Sequence, residues 1–332
     1  MAQADLTKTV RYGIEATRGT GVACTAIMDI ADAEWDIIPP TIHSDSLTGG
    51  VFGSPVDTAG VLVPKLRVKF GHINWDRWQR ILAGGVDGAI AAAGAGADKV
   101  WGAGAIKPPA LSTGAALAEA LKSLTLEFGY ANPAAAMPAH KMTGAIVDRI
   151  KIAWNRTGFV TAEVDYVSIF PVTDLTAYSG TLTADTVSAS VPDHSMLKVY
   201  IDDTTIGTTQ DTAVLDAEVE WRSFMAADEN AKRLGIARRS EWTAKLTRFH
   251  EAADLLAASR TKGLKRIRVG SIGPALGTTT WELGADLYGL VDSRSIPTVG
   301  GFVGEEVSIL PKYNATAGTD IAFRLTNSVA VL

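Results

Sequence analysis

Five histidines, one cysteine and a few adjacent carboxylates are the material from which this 332-residue chain would build catalysis or metal binding. His43, His72, His140, His194 and His250 are scattered, and none has a partner at the i, i+4 spacing that brings two imidazoles onto one helix face. Cys24 is alone, which excludes an intramolecular disulfide and a cysteine metal cluster and leaves the reading of a small buried hydrophobe. Asp202 and Asp203 sit in a Thr-rich turn, where Asp bonds local backbone. A hard cation wants about six to eight oxygen ligands, more than that turn offers. Glu305-Glu306 opens a strand with no partner acid in view. Gly300-Gly301 with Gly304 has no helix after it and reads as a turn, and no nucleophile elbow or phosphate loop is present. No catalytic, cofactor-binding or metal-binding residues are therefore expected, and the chain is read as a non-enzyme without cofactors.

Composition narrows the remaining classes. The net charge of -5 argues against gripping nucleic acid, which needs a strongly basic face. The one cationic cluster, Lys232-Arg233 through Arg238-Arg239, lacks interleaved aromatic residues and is diluted by Asp228, Glu229 and Glu241, so it suits a protein contact. The low-charge stretch from Gly84 to Ile106 is broken by Asp87, Asp98 and Lys99 and reads as a loop, so no membrane segment is expected. The start has no apolar run of a secretory signal, which implies synthesis and folding in a cytoplasm. Apolar residues make up 47% of the chain, enough for a sizeable core.

Alternation of apolar and polar residues dominates the elements that must position any site. It predicts strands at Ala33 to Ile38, Leu62 to Phe70, Ser123 to Tyr130, Gly144 to Trp154 and Phe159 to Ile169. In the second half it predicts Asp216 to Met225, Glu241 to Phe249, Leu264 to Gly270, Trp281 to Val291, Glu305 to Leu310 and Asp320 to Val329. Helical spacing predicts helices at Ile73 to Ala83, capped by Asn74, and at Glu251 to Lys262, with a shorter one at Thr113 to Leu121. The order acidic strand, long polar loop, strand, helix, strands occurs twice. The expected organisation is therefore two mainly β subdomains, 1–170 and 194–332, joined by a linker at 171–193, each a β-sandwich or barrel flanked by short helices.

The opening Arg11-Tyr12-Gly13-Ile14-Glu15-Ala16-Thr17-Arg18-Gly19-Thr20-Gly21-Val22 resembles the GxExTxGT start of bacteriophage tail tube (major tail) proteins. Arg238-Arg239-Ser240-Glu241-Trp242-Thr243-Ala244-Lys245-Leu246, returning after Val219-Glu220-Trp221 and a long loop, is similar to that family's return strand. The resemblance covers most of the chain. It implies a structural virion protein whose inner sheets join across subunits into one large β-barrel. Rings would stack into a hollow tube in the tail of a long-tailed phage, assembled in the host cytoplasm around a tape-measure protein. Terminator and tail-tip or baseplate proteins would bind its ends, and DNA would pass without sequence-specific binding. The two-repeat length suits trimeric rings with pseudo-sixfold symmetry, with hexameric rings as the alternative.

Within that frame Asp216, Glu218 and Glu220, with Glu163 and Asp165 in the first repeat, are candidates to line the lumen. The competing reading pairs them with Lys or Arg on neighbouring strands, such as Lys151 or Lys245. The long loops Pro39 to Gly60 and Ala226 to Ser240 are candidates for ring stacking through Phe52, Val56, Asp228, Glu229, Lys232, Arg233, Arg238 and Arg239. Another tail component, such as a terminator, baseplate or decoration protein, is the nearest alternative function. A carbohydrate-binding β-sandwich, using some of the eight tryptophans as a platform, is a more distant one.

Overall fold

A computed structural model describes residues 7–37, 41–43, 57–59, 63–94, 96–108, 121–133, 137–155, 158–182, 191–202, 214–223, 225–227, 234–236, 241–249, 260–296, 298–299 and 301–332. The alternating segments form antiparallel β-structure. The first half supplies β1 (Lys8–Ile14), β2 (Asp32–Asp36), β3 (Lys65–Phe70), β4 (Leu124–Tyr130), β5 (Ala139–Trp154), β6 (Thr161–Val167) and β7 (Thr173–Leu175). The second supplies β8 (Leu197–Asp202), β9 (Val214–Arg222), β10 (Glu241–Phe249), β11 (Leu264–Leu276), β12 (Thr279–Ser295), β13 (Phe302–Pro311) and β14 (Ile321–Asn327). A single turn of 3-10 helix, Trp75–Arg77, leads into α1 (Trp78–Gly85). The Asn74 side chain accepts a 3.0 Å hydrogen bond from the Asp76 N–H, and Trp78, Ile81 and Leu82 turn inward.

Three strands fall where alternation was too short or too mixed to predict them: β1, β7 and β8. β7 lies inside the segment expected as linker and pairs with the start of β5. Most of the expected helix at Glu251 to Lys262, and all but the end of the one at Thr113 to Leu121, lie outside the described residues.

The repeated pattern is also a repeat of pairing. In the first half the neighbours run β2-β3-β6-β5-β4-β1, with β7 beside the start of β5. In the second they run β9-β10-β13-β12-β11-β8, with β14 beside β12. Each strand therefore corresponds to the one seven places later. Residue identities survive at two structurally demanding places. Asp32-Ala33-Glu34 and Asp216-Ala217-Glu218 occupy the same rungs of β2 and β9. Val147-Asp148 and Val291-Asp292 occupy the same bulge in β5 and β12. Each long connection after the acidic strand also holds a short hairpin, Thr41–His43 with Asp57–Ala59 and Met225–Ala227 with Leu234–Ile236. The segments expected to be plain loops thus carry paired backbone.

Long β5 and β12 serve two layers, because their bulges bend each strand so that its first part pairs in one layer and its last part in the other. Both halves share one apolar core, filled by Trp75, Trp101, Trp154, Trp221 and Trp242. The end of β5 pairs with β9, from Arg149 opposite Arg222 to Trp154 opposite Ala217, and this fuses the halves. The order β2-β3-β6-β5-β9-β10-β13-β12 is unbroken, but the pairings close no circuit among the described residues.

Asn327 locks the halves a second way. It is fully buried, donates from Nδ2 to Trp75 O (3.1 Å) and Gln79 Oε1 (2.8 Å), and accepts from Trp101 Nε1 (2.8 Å). Asn327→Ala strands these buried groups and is expected to cost about 3 kcal/mol in urea unfolding. A loss below about 1 kcal/mol would show that the lock is dispensable.

Candidate functional site

Along the continuous sheet, period-two alternation sends apolar side chains into the core and charged ones to the opposite face. Lys65, Arg67 and Lys69 of β3 thus share a face with Glu163 and Asp165 of β6, Arg149 and Lys151 of β5, and Asp216, Glu218 and Glu220 of β9. The five carboxylates expected on an inner wall are brought to one face, on the two strands flanking β5. Glu163, Asp165, Glu218 and Glu220 lie against basic side chains. Arg149 is the centre: its Nε lies 2.7 Å from Glu220, and its Nη1 lies 3.2 Å from Glu163 and 3.5 Å from Asp165. Lys151 reaches Glu218 at 2.9 Å and Arg67 reaches Asp165 at 2.9 Å. The pairing of Glu218 with Lys151 is the one the competing reading named. Asp216 stands at the end of this ladder, opposite Thr247.

These pairs fix charge states. The Glu220 hydrogen bond holds the Arg149 guanidinium protonated far above ordinary pH. Hydrogen bonding from Lys69 lowers the Glu34 pKa, and hydrogen bonding from Lys8 lowers that of Asp32. A carboxylate with a depressed folded pKa contributes stability above its unfolded value and loses it as pH falls through the folded value. Asp98, lowered by its hydrogen bonds with Thr278, acts in the same direction. The melting midpoint is therefore expected to fall on acidification below about pH 4 and to stay flat from about pH 6 to 8. A midpoint that rises on acidification would contradict this sign.

Two ends of the sheet are unpaired among the described residues. At one end is β2. Its Ala33 carbonyl, directed away from β3, accepts a 2.7 Å hydrogen bond from Lys8 Nζ, while the Asp32 carboxylate accepts one from the Ala33 N–H at 2.9 Å. At the other is the end of β12, where Lys262 Nζ lies 3.5 Å from the Asp292 carbonyl. Lysine on an edge is a recurrent guard against unwanted strand addition. Beside that second edge Ile296 is 65% exposed, whereas its counterpart Ile152 is 1% exposed under β9. Alternation cannot reveal this contrast, because it says which face a residue takes and not whether a neighbouring strand arrives.

Glu15, in the opening motif, is buried and accepts four hydrogen bonds, from Gly19 N (2.8 Å), Ser123 Oγ (2.7 Å), Thr125 Oγ1 (2.8 Å) and Gly144 N (2.8 Å). Gly19 and Gly144 both have positive φ and both lie against the Phe170 ring, where a Cβ would come within 2.3 and 2.4 Å. The motif thus ties the chain start to β4 and β5. The candidate stacking residues Phe52, Val56, Asp228, Glu229, Lys232, Arg233, Arg238 and Arg239 lie outside the described residues. Among the described residues no group of three His, Cys, Asp or Glu is placed to hold a metal ion, and no helix is long and apolar enough to cross a membrane. Comparison with family models and with curated proteins finds no match to this chain.

Proposed function

We propose that the chain is a structural subunit that polymerises into the hollow tail tube of a long-tailed bacteriophage. The observation that carries this reading is the twice-repeated sheet: two copies of one strand order joined edge to edge, with complementary edges unpaired at the two ends among the described residues. A sheet with complementary free edges closes by adding copies of itself, and closure removes the edges that would otherwise aggregate. The resemblance of the opening and return-strand motifs to tail tube proteins supplies the specific assembly.

In this reading three chains make a ring with six pseudo-equivalent repeats, and the charged face lines the bore. Its lysines and arginines are largely engaged by carboxylates, so a passing phosphate backbone finds few free cations to hold it. A tape-measure protein would fill the bore during assembly, and terminator and tail-tip proteins would close the ends. Electron microscopy of the purified protein is expected to show tubes whose averaged end-on views contain three chains per ring. Dispersed monomers at high concentration would refute the reading, and six whole chains per ring would refute the stoichiometry.

A further inference from the structure

The joint inside the chain shows how one chain would meet the next. Along the repeat, β9 corresponds to β2 and the end of β5 corresponds to the end of β12. The chain already holds β9 against β5, so the same joint can be written for β2 against β12. We infer that β2 of a second copy of this chain docks on the end of β12 in the register of the β5–β9 joint. Trp35 of that copy then stands opposite Ile296, Asp36 opposite Ser295, and Ala33 opposite Thr298. This rests on the polymerising reading above and specifies its contact.

Three observations support it independently of length or motif. The bulge that sets the register, Val147-Asp148, recurs as Val291-Asp292. The docking strand keeps its Asp-Ala-Glu identity, Asp32-Ala33-Glu34 against Asp216-Ala217-Glu218. The backbone groups also point the right way. In the internal joint Ser223 N donates to Asp148 O at 2.8 Å, which makes Ile152 and Val219, four residues further along each strand, a hydrogen-bonded pair as well. Their counterparts Ile296 and Trp35 belong to the same hydrogen-bonding set, as do Asp292 and Ala33. The carbonyls of Asp292 and Ala33 are the ones met by Lys262 and Lys8 in the single chain. Docking gives the Ala33 carbonyl a backbone partner in the Thr298 N–H in place of the Lys8 cap and covers Ile296, while Pro39, at the place of Ser223, has no N–H to offer Asp292, whose carbonyl keeps its lysine.

In this register Ser295 and Asp36 form a non-hydrogen-bonded pair, the closer kind, equivalent to Lys151 opposite Glu220. Both residues are exposed. The native Cys24 will not interfere, because it is buried and burial pushes its thiol up to about 12. The test mixes Ser295→Cys chains with Asp36→Cys chains under mild oxidation, followed by non-reducing electrophoresis and microscopy. Disulfide-linked heterodimers are expected in about half of the assembled chains, the share that random mixing places in the right order. A control mixture of Ser295→Cys with Asp32→Cys, about 13 Å out of register, should stay unlinked. Rings or tubes that assemble without the heterodimer, or that link the control pair equally well, would overturn the register and leave the tube reading standing. Chains that neither assemble nor link would overturn both.

Discussion

Ile296→Asp is expected to leave the subunit folded and to abolish assembly. In the single chain Ile296 is 65% exposed, so a carboxylate there keeps its water and the melting midpoint should stay within about 1 °C of the parent. In the docked state the same position corresponds to Ile152, which is 1% exposed and lies between β6 and β9. Burying an unpaired carboxylate in such a place costs several kcal/mol, and about 4 kcal/mol weakens each joint roughly a thousandfold. Because closure needs every joint, the loss compounds around a ring. Sedimentation of Ile296→Asp should show monomer at concentrations where the parent is fully assembled. Val303→Asp is a useful companion: Val303 is 59% exposed while its counterpart Val160 is fully buried. Normal tubes from Ile296→Asp would remove the β12 edge from consideration.

Much of the fold was legible because half-buried strands write their geometry into the sequence every second residue. Glu241 to Phe249 was bounded to the residue, since its Trp242, Ala244 and Leu246 face inward against exposed Glu241, Thr243 and Lys245. The charged ladder was half legible: the acids were visible as alternation, but Arg149 as their common partner was not. Its role depends on β9 arriving beside β5 from 62 residues further along the chain than Trp154, at Asp216, and no local pattern encodes such an arrival. β1 was hidden for a different reason. Its pattern, Lys8 to Ile14, mixes half-buried residues on both faces, because it covers β4 while Lys8 reaches over to β2. The resemblance drew attention to Glu15 as a motif letter, but only the three-dimensional arrangement explains why that letter is a carboxylate.

Glu15→Ala is expected to be among the most damaging single changes for stability. The side chain is 3% exposed, and its two oxygens accept from two backbone N–H groups and two hydroxyls contributed by four separate positions. Hydrogen bonds to an ionised acceptor are stronger than neutral ones, and removing the acceptor leaves the donors buried without partners. The loss should be about 4 kcal/mol in chemical unfolding, near the upper end for a point change. Glu15→Gln separates charge from shape. Its amide keeps one acceptor oxygen but points an NH2 at donors, so it should recover only part of the loss. Gly144→Ala attacks the same knot without touching the carboxylate, since φ is +63° and the added Cβ would meet Phe170 at 2.4 Å. If the knot is a single unit, combining Glu15→Ala with Gly144→Ala should cost clearly less than the sum of the two, with a coupling of about 1 kcal/mol or more. Strict additivity would mean that the carboxylate and the glycine stabilise the fold separately, and that the spacing of the opening motif has some other origin.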